Sequence, residues 1–223
     1  FPALVKEINK IEGLERIRFM TSNPKDLSDE LIDCYRTCEK LCKHIHLPVQ
    51  SGSSTVLKRM NRRYDREKYI DIIDKLKDAC PEIAITTDII VGFPGETEEE
   101  FKETLSLVEY VGYDSAFTFI YSPREGTPAA GFNDQIPYDI KHERFERLNE
   151  VVNKYSLEKN LQLADSTVQV LVDGASRKDD KSYSGRTDGF KLVIISSGRD
   201  IIGQLVDVKI TDCKTFSIDG ILA

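Results

Sequence analysis

The chain has 223 residues, of which 40% are hydrophobic and 31% are charged. With a mean hydropathy of −0.35, this composition supports a buried core and excludes both a membrane protein and a disordered chain. We expect no spanning segment and no signal peptide, because no apolar run approaches the ~18 residues of a membrane helix. Five cysteines, an odd number, argue against a disulfide scaffold and favour a reducing, cytoplasmic location.

The length and the charge distribution predict two domains. Residues 159–223 hold nine basic and nine acidic side chains, so residues 1–158 carry the whole net charge of −7. A negative net charge does not favour non-specific binding to nucleic acid. The chain begins at Phe1 inside a helical pattern, and we therefore expect it to be a piece of a longer polypeptide.

Helical and strand patterns alternate through residues 1–158. The expected helices span 1–11, 29–41, 54–60, 66–79, 98–111 and 139–163, and the expected strands span 16–21, 44–49, 83–91 and 115–121. Ser28 and Asp65 are predicted N-caps, and Thr97 with Glu100 forms a capping box. Strands that alternate with helices at this spacing predict βα units and a parallel sheet.

Residues 159–223 have a different pattern. Five short β-like runs span 167–172, 182–187, 191–196, 205–212 and 215–221. Asp173-Gly174, Asp188-Gly189 and Ser197-Gly198 supply turn chemistry between them. This pattern predicts a small β-barrel of the oligonucleotide-binding kind.

Each predicted strand of the first domain has one apolar and one polar face, because side chains alternate along a strand. The polar faces hold Arg16, Arg18, His44, His46, Gln50, Thr86 and Asp88. Unpaired polar groups are costly in a dry core, so this arrangement favours a barrel whose lumen holds a ligand. Three turns rich in Gly, Ser and Pro, at 50–53, 92–96 and 122–127, follow strands where ligands bind in parallel α/β folds.

Three segments carry a resemblance to a known family. HLPVQSGS at 46–53, TTDIIVGFPGET at 86–97 and DSAFTFIYSPREGTPA at 114–129 resemble the methylthiotransferases of the radical S-adenosylmethionine enzymes. The amino-acid sequence at 48–52 favours the tRNA branch of that family, and residues 159–223 resemble its TRAM domain. The implied fold is α/β: the C-terminal part of an open (βα)6 partial barrel at 1–158, followed by an OB-like TRAM barrel at 159–223.

The resemblance also exposes an absence. The family holds its radical-generating 4Fe-4S cluster with a C-x-x-x-C-x-x-C loop and a second cluster with three more cysteines, and neither set is in this chain. Cys34, Cys38 and Cys42 are spaced differently and would span about 12 Å along one predicted helix, too far for one cluster. We therefore expect no metal ligands and no catalytic residues here, and no activity from this chain alone.

The resemblance implies an enzyme that adds a methylthio group to C2 of an N6-modified adenosine at position 37 of the tRNA anticodon loop. The implied cofactors are S-adenosylmethionine and two 4Fe-4S clusters whose ligands lie outside this chain. The expected cofactor-binding residues are Gln50, Ser51, Ile90, Val91, Gly92, Tyr121, Ser122 and Pro123. The expected substrate or RNA contacts are Asp88, Arg124, Lys181, Arg186 and Lys191.

Other functions stay open at this point. Within the family, the alternative is that the chain is part of a ribosomal-protein methylthiotransferase or of a threonylcarbamoyladenosine-tRNA methylthiotransferase. From other classes come a non-catalytic RNA-binding module and a cluster-free barrel enzyme, although no convincing nucleophile–base pair supports the latter. The expected partners are tRNA, the rest of the same polypeptide, and a second copy paired at an open sheet edge along 16–21. We expect no contact with a membrane.

Overall fold

The computed structural model describes residues 1–20, 23–176 and 182–223. The helices are α1 (Pro2–Asn9), α2 (Asp29–Thr37), α3 (Ser54–Arg59), α4 (Arg66–Ala79), α5 (Glu98–Val111) and α6 (Tyr138–Leu161), with a 3-10 turn at Pro128–Gly131. The strands are β1 (His44–His46), β2 (Ala84–Val91), β3 (Ser115–Ile120), β4 (Thr167–Ala175), β5 (Ser182–Thr187), β6 (Leu192–Ser196), β7 (Leu205–Cys213) and β8 (Ile218–Leu222).

Strands β1, β2 and β3 form a parallel sheet in that order. The apolar faces predicted from the alternation are buried under the helices, and Ile45, Ile85 and Ile89 are at most 2% exposed. The register places His46 beside Thr86 and Asp88 beside Phe117, so the polar residues share the opposite face. The predicted parallel α/β arrangement is confirmed, and so are the caps at Ser28, Asp65 and Thr97.

Strand β1 is shorter than the strand predicted at 44–49, because hydrogen bonds to side chains replace its later backbone pairing. Pro48 has no N–H to donate. The Val49 N–H donates instead to the Thr87 hydroxyl at 3.0 Å, and the Tyr64 hydroxyl donates to the carbonyls of residues 48 and 49. The chain rejoins the sheet at a single bridge between Gln50 and Ile89.

The strand predicted at 16–21 is wrong for the residues described. Only Ile17 pairs, in an isolated parallel bridge with Leu41. The ring of Phe1 covers Phe19 at a centroid distance of 5.2 Å, while Arg16 donates hydrogen bonds to the second domain. Long-range side-chain contacts therefore fix this segment without a regular ladder, and its pairing with a second copy stays a prediction.

Two further predictions are corrected. Helix α2 ends at Thr37 and not at Leu41, because the chain turns extended at Cys38 to reach the bridge with Ile17. The three cysteines therefore do not share one helix. Asp173-Gly174 is not a turn but lies within β4, where the register with β5 shifts after Val172 in a bulge.

The second domain is a closed barrel with the strand order β4-β5-β6-β8-β7. Its interior is packed with Val and Ile side chains, namely Val170, Val172, Val193, Ile195, Ile201, Val208, Ile210 and Ile218. The predicted five-stranded barrel is confirmed. The predicted boundary between residues 158 and 159 falls in the last turn of α6, which leads directly to β4.

The barrel docks on the sheet at the amino ends of the strands. Arg16 and Arg18 donate to the carbonyls of Arg186 and Thr187, and the Lys43 N–H donates to the Asp188 carboxylate at 3.0 Å. Lys191 completes the contact with an ion pair to Asp114 at 2.8 Å. No helix in the described part of the chain is long and apolar enough to cross a membrane.

Candidate functional site

A hydrogen-bonded chain of side chains runs along the inner face of the sheet. The Thr86 hydroxyl lies 3.0 Å from His44 Nε2 and 3.0 Å from His46 Nδ1. His46 Nε2 in turn lies 3.4 Å from the Asp88 carboxylate. A carboxylate only accepts, so His46 Nε2 carries the proton, and Thr86 donates to Nδ1 of the same ring. His44 Nε2 then donates to Thr86, which leaves His44 Nδ1 as an acceptor.

His44 is held neutral. Burial lowers the pKa of this imidazole to about 3, and the nearby charges of Arg18 and His46 act in the same direction. The ring is 6% exposed, and its Nδ1 atom is buried with no hydrogen-bond partner among the described residues. A buried, unpaired acceptor is costly. This end of the chain of hydrogen bonds therefore lacks a donor.

The predicted cofactor residue Gln50 lies at the carboxyl edge of the sheet with an unusual backbone. Its φ of +71° places a non-glycine residue in the left-handed region. Its N–H donates to the Asp88 carbonyl, and its carbonyl accepts from the Ile90 N–H, so both neighbours hold the conformation. Such strain costs about 1–3 kcal/mol and is concentrated at functional sites.

The glycines Gly52 and Gly92 of the first two turns pack against protein, whereas Gly126 of the third turn faces open space. A side chain at Gly52 would lie 2.5 Å from the backbone of Thr104 in α5. At Gly92, with a φ of +72°, the space is filled by the side chain of Lys141. Ser51 is fully buried, and its hydroxyl bonds to the hydroxyl of Thr104. At Gly52 and Gly92 the close approach of the helices alone requires a residue without a side chain.

The remaining predicted cofactor residues divide by exposure. Val91 is fully buried in the core, whereas Ile90 is half-buried on the inner face. Ser122 and Pro123 are exposed, and the half-buried Tyr121 has a hydroxyl with no hydrogen-bond partner among the described residues. The orphan hydroxyl of Tyr121 and the strained backbone of Gln50, both at the carboxyl edge, fit a polar organic cofactor such as S-adenosylmethionine.

A buried ionic cluster lies beside this edge, and the sequence analysis missed it. Arg144 donates to the Glu96 carboxylate at 2.9 Å, and the Gly92 N–H donates to the same oxygen at 2.8 Å. Burial raises the pKa of Glu96. The signal was present in α6, where Lys141 and Arg144 occupy the buried stripe that continues with Leu148.

The cysteines do not fit an iron–sulfur cluster. Among residues 1–20, 23–176 and 182–223, no group of three His, Cys, Asp or Glu side chains is arranged to hold a metal ion. Cys34, Cys38 and Cys42 are buried, and burial raises the pKa of Cys42 to about 11. A cluster is bound by thiolates, so protonated and buried thiols are poor ligands.

The predicted RNA contacts occupy different environments. Arg124 is exposed, and the guanidinium of Arg186 lies over the Phe190 ring at 4.7 Å. Lys191 is mostly buried, bound to Asp114 and to the Asn160 side chain at 2.9 Å. Asp88 holds His46, and Lys181 lies outside the described residues.

A cavity of about 280 Å³ lies where the inner face meets the barrel. The sheet lines it with His44, His46, Thr86 and Phe117, and the barrel lines it with Arg186, Phe190 and Phe216, among others. The structure thus brings the histidines of the first domain and Arg186 of the second to one place. No sequence pattern indicated that the two groups meet.

Known proteins share both parts of this architecture. Residues 1–108 match the radical SAM superfamily, and residues 165–223 match the TRAM domain. The chain is similar to proteins named tRNA-2-methylthio-N(6)-dimethylallyladenosine synthase, each aligned over 220 residues. Identity is 57% for the protein of Clostridium botulinum (strain Hall / ATCC 3502 / NCTC 13319 / Type A), 56% for Clostridium tetani (strain Massachusetts / E88) and 54% for Clostridium perfringens (strain SM101 / Type A).

These alignments cover 99% of this chain and 49% of each relative. The chain therefore spans about half the length of the curated relatives it matches. The two matched regions lie in different domains of the structure: the first ends within α5 and leaves out β3 and α6, and the second begins just before β4. The chain is therefore similar to the radical SAM superfamily over residues 1–108 and to the TRAM domain over residues 165–223.

Proposed function

We propose that this chain forms the substrate-facing half of a tRNA methylthiotransferase. The reaction adds a methylthio group to C2 of an N6-modified adenosine at position 37 of the anticodon loop. The observation that carries the proposal is 57% identity, across both domains, to proteins named for this tRNA modification. It favours the tRNA branch over the ribosomal-protein alternative.

The inner face of the sheet supports the proposal as a place for an adenine. His46 is held by Asp88 on one side and by Thr86 on the other, so its ring has a fixed orientation. Phe119 on the same face is 49% exposed and offers a stacking surface for a base. These groups orient a substrate base, and the apolar rings exclude water from it.

The carboxyl edge supports a cofactor site. We assign the cofactor contacts to Gln50, Ile90 and Tyr121, with the backbone of 122–123 at the rim. S-adenosylmethionine, when bound, supplies the hydrogen-abstracting radical chemistry of this superfamily. The residues of this chain bind and orient the cofactor and shield the reacting atoms from solvent. The cysteines of this chain do not fit a cluster.

A chimera tests the proposal. In the Clostridium tetani relative, the 220 matched residues are replaced by this chain, and the hybrid is expressed in bacteria that lack the tRNA methylthiotransferase. Mass spectrometry of digested tRNA then measures 2-methylthio adenosine. We expect the hybrid to restore the modification and His46→Ala in the hybrid to lower it at least tenfold.

Two controls make the result interpretable. Glu82→Ala changes an exposed side chain whose partner is the exposed Lys43, and it should leave the modification unchanged. Iron content and solubility of the hybrid show that it is assembled. An assembled hybrid that leaves tRNA unmodified contradicts the proposal.

A further inference from the structure

The cavity at the domain junction has aromatic surfaces from both domains. Phe117, on the inner face of β3, is 61% exposed, and Phe216, in the turn before β8, is 75% exposed. Both rings line the same cavity. Its volume of about 280 Å³ lies near the lower end of the ~300–1,000 Å³ range of small-ligand sites. Large exposed apolar rings that face one cavity mark a binding surface.

The charges around the cavity favour an anionic ligand. Arg18, Arg186 and Lys191 line it together with a single carboxylate, Asp114. Asp114 is already paired with Lys191, and Arg186 lies 3.9 Å from Asp173, an exposed carboxylate outside the lining, so the lining itself keeps a positive balance. Arg18 and Arg186 lie over the Phe190 ring at 4.5 and 4.7 Å and hold it as the floor of the cavity.

A polar group in the wall also lacks a partner. His44 is 6% exposed, lines the cavity, and has no donor for its Nδ1 atom among the described residues. Its other nitrogen is engaged by Thr86. The Nδ1 nitrogen is itself buried, so it offers no contact to a molecule in the cavity.

We propose that the junction cavity binds one unpaired nucleotide of the RNA, with its base against Phe117 and Phe216 and its phosphate near Arg186. Exposed aromatic rings beside arginine are the usual means of holding single-stranded bases. The inference rests on the proposed function, because it takes tRNA to be the bound RNA.

His46 borders both the cavity and the proposed adenine site, and the nucleotide bound in the cavity is not the one that reacts. The cavity begins at Thr86, near the amino ends of the strands, whereas the proposed cofactor contacts begin at Ile90. Four residues of parallel strand span about 13 Å. The cavity therefore serves as a second base site, which anchors a neighbouring nucleotide while the target adenosine lies at the carboxyl edge.

The test measures binding of a tRNA anticodon stem-loop to the 223-residue chain by fluorescence anisotropy at several salt concentrations. Phe117→Ala and Phe216→Ala should each raise Kd about 5-fold to 150-fold, the range for loss of one stacked base. Their salt slopes should equal that of the unsubstituted chain, because no phosphate contact is removed. Tyr138→Ala, at an aromatic residue 70% exposed outside the cavity, is the matched control and should not change Kd.

Two readouts locate the effect. If both rings hold one base, the double variant should lose less affinity than the product of the single losses. A 2-aminopurine placed in turn at each loop position should change its fluorescence on binding at one position, and this change should vanish in both variants. Melting temperatures within a few degrees of the unsubstituted chain show that the variants are folded.

The outcomes separate the two proposals. If the unsubstituted chain binds the stem-loop and both variants bind it equally well, the base site is wrong and the proposed function stands. If the affinity falls together with the salt slope, the loss is electrostatic and the base site is also wrong. If the unsubstituted chain binds no RNA, both the base site and the RNA part of the proposed function fail.

Discussion

Single buried polar side chains determine what each end of the sheet can do. At the carboxyl end, Glu96 accepts hydrogen bonds from Arg144 and from the Gly92 N–H. At the amino end, His44 stays neutral beneath the barrel, with Thr86 as its partner. Both groups are taken out of water, so replacing either one has a cost set by the partner that remains.

Glu96→Ala should destabilise the chain strongly. The side chain of Arg144 is 7% exposed, so removal of the carboxylate leaves a buried charge whose remaining carboxylate, Glu98, is 3.7 Å away and 37% exposed. Losing one partner of such a pair costs about 3–5 kcal/mol. Urea unfolding measures the change, with Glu82→Ala as the control, because that glutamate forms an exposed pair worth about 0–1 kcal/mol. Equal losses in the two variants would show that the buried pair has no special role.

His44 should make stability fall in mild acid. Its pKa is about 3 in the folded chain, below the ordinary value of 6.5. The unfolded chain therefore binds the extra proton first, and stability present above pH 6.5 is lost as the pH falls. One such group contributes a slope of up to about 1.4 kcal/mol per pH unit.

The measurement is the free energy of unfolding between pH 7 and pH 5, compared with that of His44→Asn. The variant cannot take up the proton, so its slope should be smaller. Arg18 and His46 act on the same ring and are unchanged in both proteins. An identical slope in the two proteins would mean that His44 is not buried as described.

At the scale of elements, the barrel contributes two basic residues with different roles. Arg186 is partly exposed and lies over Phe190, whereas the side chain of Lys191 is 14% exposed and binds Asp114. Both residues were expected to contact RNA from the resemblance to the methylthiotransferases. Their environments differ, because only Arg186 has its charged group partly exposed at the surface.

Arg186→Ala should lower the salt dependence of stem-loop binding by about 0.7–0.9 in slope, the contribution of one phosphate contact. The slope comes from Kd values between 50 and 300 mM salt. Lys209→Ala is the control, because Lys209 is an exposed lysine of the same barrel outside the junction cavity. An equal fall in slope for both variants would mean that the loss of any positive charge on the barrel lowers the slope, and that Arg186 makes no specific phosphate contact.

Lys191→Ala should instead weaken the attachment of the barrel. It leaves the Asp114 carboxylate, 10% exposed, without its cation, at a cost of about 3 kcal/mol. Thermal unfolding measures this loss, and the salt slope of RNA binding should stay unchanged. A lower slope with unchanged stability would make Lys191 a phosphate contact.

The elements were predictable where local chemistry sets them. The alternation in β2 identified its buried face, and the T-x-x-E pattern placed the start of α5. The segment at 16–20 was not predictable, because its arginines bind barrel carbonyls about 170 residues away. The pairing of Glu96 with Arg144, 48 residues apart, was missed for the same reason.

At the scale of the whole molecule, the barrel lies at the amino ends of the strands and the cofactor edge lies at their carboxyl ends. The inner face joins them through His44, Thr86, His46 and Asp88. Under the proposed function, RNA at the barrel reaches the cofactor edge along this face. We assign substrate and cofactor contacts to this chain and no cluster ligands.

The most direct measurement of that central claim is the iron and sulfide content of the chain after anaerobic reconstitution, with stem-loop binding measured on the same preparation. We predict bound RNA and no stoichiometric iron or sulfide, because the cysteines are buried thiols that do not converge. A stoichiometric cluster with charge-transfer absorbance, lost when Cys34, Cys38 and Cys42 are replaced, would contradict the account.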